Sequence, residues 1–177
     1  MTFMLVLTMA MATIAVVEAE AQASSSSDGF PKTVLMKGDT ELQNGRFYYG
    51  TWHYYEAGSW NTVFADGFYS FPRADVVRAG STLHIRINKP QRPERFAIKA
   101  YPRLDENGMP EGESQRLDTT LRRVERGGET VGWDVFFRVN DDNRHYYLES
   151  GGRWERVPGT HISYGTSHEN FHVKTSD

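Results

Sequence analysis

Apolar side chains recur at every second position in several separate stretches of the chain, and beyond residue 23 they nowhere keep helical spacing over three turns. That period is the period of a strand with one buried face, so the chain is constrained to pair strands. Leu83, Ile85 and Ile87 alternate with His84, Arg86 and Asn88, which predicts a half-buried strand with His84 on its exposed polar face. Glu94 to Tyr101 repeats the pattern after a Pro90–Pro93 turn, and Trp133, Val135, Phe137 and Val139 alternate until Asp141-Asp142-Asn143 ends the run. Tyr146 to Glu149 returns, Gly151-Gly152 is read as a further turn, and Phe171 to Lys174 closes the series. Weaker strand signals lie at Thr33–Met36, Arg46–Tyr55 and Asn61–Phe64, while Leu117, Leu121 and Val124 fit two helical turns or an edge strand.

Short strands with turn clusters every 8 to 12 residues predict an all-β, antiparallel sandwich of immunoglobulin-like type. The arrangement is like that of immunoglobulin-type sandwiches in bacterial surface proteins, a likeness of architecture that carries no function by itself. Residues 33–177 read as one domain without internal repeats.

The first 23 residues read as an export signal. From Phe3 to Val17 only Thr8 and Thr13 interrupt an apolar run, and Ala21-Gln22-Ala23 offers a small-residue cleavage site. At about 1.5 Å per helical residue the run reaches roughly 22 Å, short of the ~30 Å hydrocarbon core, so a signal-peptide helix is expected and no stable membrane span after cleavage. Ser24 to Lys32 then forms a flexible leader. The expected location is secreted or cell-wall-associated.

Composition narrows the function classes. The chain has no cysteine, which removes disulfides, thiolate metal sites and a cysteine nucleophile, and its net charge of −3 argues against nucleic acid as a partner. His168-Glu169-Asn170-Phe171-His172 spells the H-E-x-x-H of zinc proteases. On the strand predicted there its histidines would sit about 13 Å apart, too far to share one ion. No metal and no cofactor is expected, and no catalytic residue stands out. Asp105-Glu106-Asn107 and Asp141-Asp142-Asn143 read as solvated turns.

The ring-rich stretch is the remaining functional signal. Eleven of the 25 residues from Phe47 to Phe71 are aromatic, and the adjacent pairs Tyr48-Tyr49 and Tyr54-Tyr55 must point to opposite faces. Some rings therefore reach the surface, where flat faces with polar tips suit stacking on a sugar or anchoring a protein. Tyr48, Trp52, Tyr54 and Trp60 are the candidate binding residues. The leading expectation is a non-catalytic binding module for an extracellular protein or glycan. A small secreted hydrolase with unrecognised carboxylates and a structural envelope protein are the alternatives.

Overall fold

A computed structural model of the protein describes residues 29–141 and 144–177. The expected signal-peptide helix, and the leader up to residue 28, lie outside the described residues. Fourteen strands follow in order: β1 Thr33–Lys37, β2 Thr40–Asn44, β3 Arg46–Glu56, β4 Ser59–Asp66, β5 Asp75–Arg78, β6 Thr82–Ile87, β7 Arg95–Tyr101, β8 Arg103–Leu104, β9 Pro110–Glu111, β10 Gln115–Arg116, β11 Thr120–Arg126, β12 Glu129–Arg138, β13 His145–Trp154 and β14 Tyr164–Ser176. The described chain is all-β. One sheet has five strands in the order β11-β12-β6-β1-β2; a second has seven, running β10-β7-β13-β14-β3-β4 with β5 added beside β14; and β8 and β9 form a small two-stranded sheet. Every pairing is antiparallel except β5 on β14.

The alternation read from the sequence builds the space between the sheets. Leu35, Leu83, Ile85, Ile87, Val135 and Phe137 of the five-stranded sheet meet Trp52, Ile98, Leu148, Trp154, Phe171 and Val173 of the seven-stranded one in a single apolar core. Burying such side chains contributes about 1.5–3 kcal/mol each, the dominant favourable term for a chain without cross-links.

Three local expectations need correction. Gly151-Gly152 is no turn: both lie inside β13, which is paired on both sides, with β7 and with β14. A Cβ at Gly152 would meet the Trp154 ring at 2.5 Å, so glycine there serves close packing. Tyr164-Gly165-Thr166-Ser167, whose glycine and hydroxyl residues read as a turn in the sequence, likewise begins β14. His84 does lie on the outward face, yet it is only 4% exposed, because Asp134 sits 3.6 Å from its Nε2 and the Phe136 ring lies beside it. Leu121 and Val124 belong to an edge strand, β11.

The long strand β14 holds the larger sheet together. It pairs with β13 from Gly165 to Lys174, with β3 from Tyr164 to Asn170, and with β5 from Val173 onward. Between the two latter ladders His172 has no strand on that side, though β13 flanks it on the other, and a side chain fills the gap. Gln43 Nε2 donates to His172 O at 2.7 Å and to Arg73 O at 2.8 Å, while Gln43 Oε1 accepts from His172 N at 3.0 Å. The amide mimics a peptide unit and leaves no backbone group there unsatisfied.

Alternation along β14 also places Glu169 in the interior. Its carboxyl accepts from Thr33 Oγ1 at 2.6 Å and from Ser167 Oγ at 3.0 Å, and only 3% of the residue is exposed. Burial outweighs those two donors and pushes its pKa up to about 7 from an ordinary 4.5. The folded protein therefore keeps a proton that the unfolded chain releases between those values, and stability should fall as pH rises through the window. Relative to the parent, Glu169→Gln should gain on the order of 3 kcal/mol between pH 4 and 8. Denaturant melts of both proteins across that range measure the difference, which also cancels the contribution of the histidines; a parallel pair of curves would refute it.

A second prediction concerns the β3–β4 hairpin. Its two-residue turn holds Ala57 at φ 50° and Gly58 at φ 83°, the left-handed pair of a type I′ turn. Ala57 is the one non-glycine residue at positive φ among those described. Ala57→Asn, which tolerates this conformation, should raise stability by about 1 kcal/mol, visible as a higher Tm.

Candidate functional site

Cross-strand register arranges the outer face of the seven-stranded sheet in rows. One row reads Arg116, Lys99, Glu149, Asn170 and Arg46 across β10, β7, β13, β14 and β3. The next reads Ala97, Gly151, His168 and Tyr49, and the third Arg95, Arg153, Thr166 and Thr51. Because Ala97 and Gly151 are small, the middle row is a trough between two rows of long polar side chains. The resulting groove encloses about 830 Å³ and continues around the open edge of β7 to Phe96, Leu121 and Val135 between the sheets.

At the centre Glu149 accepts hydrogen bonds from Tyr48 Oη at 2.8 Å and Tyr101 Oη at 3.2 Å. Burial, reinforced by the Glu149 charge, raises the pKa of both phenols, so both stay protonated as donors. Tyr69 packs edge-on against Tyr48 at 4.6 Å and is shifted upward for the same reasons. His168 leans over Gly151, and burial lowers its pKa, with Lys99 adding to the effect and Glu149 opposing it. The imidazole is thus neutral at pH 7.

Charge around the trough is predominantly positive. Lys99 and Arg116 have no ion-pair partner among the described residues, whereas Arg95 and Arg153 share Glu94 at 3.8 and 3.6 Å. Past Arg153 and Thr166 a second concavity of about 480 Å³ continues the groove toward His53 and Tyr164. There His53 stacks on Tyr164 at 4.5 Å, Trp60 meets Tyr164 edge-on at 5.4 Å, and Tyr55 stacks on His161 at 3.7 Å. The outer face therefore runs from a basic end to an aromatic end.

The opposite part of this face is closed by the segment after β4. Asn170 Nδ2 donates to Ser70 O at 3.2 Å, Arg46 to Ser70 Oγ at 3.0 Å, and Phe71 packs edge-on against Tyr147 at 5.3 Å. Tyr147 in turn stacks on His172, whose Nε2 lies 2.9 Å from His145 Nδ1. Rings that no sheet alternation can bury are thus used to fasten a loop across the sheet.

The four candidate binding residues separate. Tyr48 is in the Glu149 network and half-buried; Trp60 lines the aromatic end, with the Arg156 guanidinium 5.3 Å from its ring centroid. Tyr54 is partly buried against the core, and Trp52 is 1% exposed inside it. Glu149, Lys99 and Arg116 carry no local signal in the sequence, and His168 stands out there only as part of H-E-x-x-H, because only the register brings β7, β10, β13 and β14 together. The H-E-x-x-H residues divide as a strand requires: His168 and His172 lie outward, Glu169 inward. No group of three metal-ligating residues occurs among the described residues. Among those residues, too, no helix is long and apolar enough to cross a membrane.

No protein-family model, curated protein or solved structure matches the chain. The reading of the site rests on its chemistry: unpaired cations at one end, a carboxylate already ordered by two phenols, and ring faces at the other. Such a surface can pair an anion, hold hydroxyl groups and stack a flat apolar face.

The trough depends on glycine. A Cβ at residue 151 would meet the His168 ring at 2.9 Å, so Gly151→Ala must displace that ring or the strand beneath it. We expect a loss of about 1–3 kcal/mol in stability and a changed His168 titration, followed by thermal melts and by NMR of the imidazole. An unchanged titration curve would show that His168 does not rest on this glycine.

Proposed function

We propose that this chain is a secreted or cell-wall-associated, non-catalytic binding module of immunoglobulin-like type, and that its ligand is an extracellular glycan carrying acidic groups. The observation that carries this reading is the groove floored by Ala97 and Gly151, with Lys99 and Arg116 unpaired on one wall. Unpaired cations in a concave, partly desolvated site select an anion, and sugar hydroxyls can pair with Glu149, Thr166 and His168. Trp60 and Tyr164 supply rings at the far end, at a reach that suits an extended chain of sugars better than one small molecule. A concave trough fits a glycan chain better than the flat face of a folded protein. The two antiparallel sheets packed face to face support the immunoglobulin-like type.

The test is titration calorimetry of the purified protein with a soluble polyuronate and with a neutral glucan. Binding should be confined to the polyuronate and weaken as salt is raised. Lys99→Ala combined with Arg116→Ala should weaken it by about tenfold or more while leaving the Tm within about 1 °C, since both side chains are surface groups. Equal affinity for the neutral glucan, or undiminished binding by the double variant, would overturn the reading.

One observation favours the hydrolase alternative, namely that Glu149 and Glu94 line the same groove. Glycoside hydrolysis uses a pair of carboxylates. Release of reducing ends from the polyuronate, abolished by Glu149→Gln, would establish that alternative in place of simple binding.

A further inference from the structure

We propose that β4 is a self-association edge through which two copies of this chain join their seven-stranded sheets. β4 ends that sheet, and among the described residues nothing pairs with its outer side. The ladder with β3 runs through eight pairs, Tyr49 with Asp66 to Glu56 with Ser59, without a register shift. From the two-residue turn, alternate residues direct their peptide groups toward β3, and Gly67 N donating to Tyr48 O continues that phase. Trp60, Thr62, Phe64 and Asp66 therefore direct N–H and C=O groups away from the sheet, an open template for another strand.

The other edges are blunted. β10 has two residues, β5 four and β2 five, while β11 carries Arg122, Arg123, Glu125 and Arg126. β4 has no Lys, Arg or Pro, and its one charge, Asp66, is at its end. Its side chains are also exposed where a neighbour would lie: Phe64 is 76% exposed and Val63 39%, with Phe68 at 96% just beyond the strand.

The occupant that fits is a second β4. Antiparallel pairing about a two-fold axis midway between Val63 and the partner's Val63 sets Thr62 opposite the partner's Phe64 and Trp60 opposite the partner's Asp66. Every outward peptide group then finds a partner, and no charge faces a like charge. A two-fold axis relating adjacent antiparallel strands is perpendicular to the sheet. The two outer faces, each with its groove, would then point the same way. This inference stands apart from the groove's ligand.

Sedimentation of the purified protein over a concentration series tests it. Wild type should pass from monomer to dimer, and Phe64→Lys and Phe64→Pro should stay monomeric with unchanged circular dichroism. Proline at 64 removes only an N–H that does not bond to β3, so the hairpin survives. Amide exchange of the wild type gives a readout that needs no variant: the N–H groups of Thr62 and Phe64 should slow as protein concentration rises, and that of Val63, which bonds to β3, should not. A wild type that remains monomeric throughout, a dimer that persists in both variants, or exchange independent of concentration would each overturn the proposal.

Discussion

The backbone pairing of β14 is the constraint on which the rest of the larger sheet depends. It is flanked by β13 on one side and by β3 and β5 on the other, so its phase decides what enters the core and what reaches the surface. With odd positions inward, Phe171, Val173 and Glu169 are buried and His168 and His172 emerge. A one-residue slip would exchange these sets and expose the apolar row. Gln43 protects the register at its weakest point, where β3 has ended and β5 has not begun.

The groove is a by-product of the same geometry. Side chains opposite one another on neighbouring strands form rows, and a row of small residues between rows of large ones leaves a channel. Here Ala97 and Gly151 are the small pair, and the long residues beside them are mostly cationic. The phenols of Tyr48 and Tyr101 order the Glu149 carboxylate before any ligand arrives, which limits the entropy lost on binding.

Strict alternation made β6, β7 and β12 legible in the sequence, because a single period reports both the strand and its buried face. The glycine pair at 151 and 152 misled for a physical reason. Glycine marks turns when a positive φ is needed, but here it admits the His168 ring on one face of β13 and the Trp154 ring on the other, a packing role invisible without the neighbouring strands. His84 shows the limit of reading a polar face as an exposed one, since Asp134 and Phe136 arrive from β12 to cover it. Crowding in the ring-rich stretch did indicate that some rings must leave the core, and Tyr69 and Phe71 do so in a loop. Which rings stay inside, Trp52 among them, depends on register with β14. The cations of the groove are distributed over β7, β10 and β13 with ordinary spacing, so no local pattern could announce them.

The central position of β14 also bears on the order of folding. Thirteen residues near the end of the chain occupy the middle of a sheet whose other strands come earlier in sequence. Until that segment has been synthesised, β3 and β13 have no common neighbour, and the apolar faces they present remain uncovered. Such distant pairings impose a large loop-closure entropy before any contact is gained, which places this fold among slow, high-contact-order folders. Before β14 is in place, only the pairings among earlier strands, such as the β3–β4 hairpin, can form in this sheet, so its closure comes last.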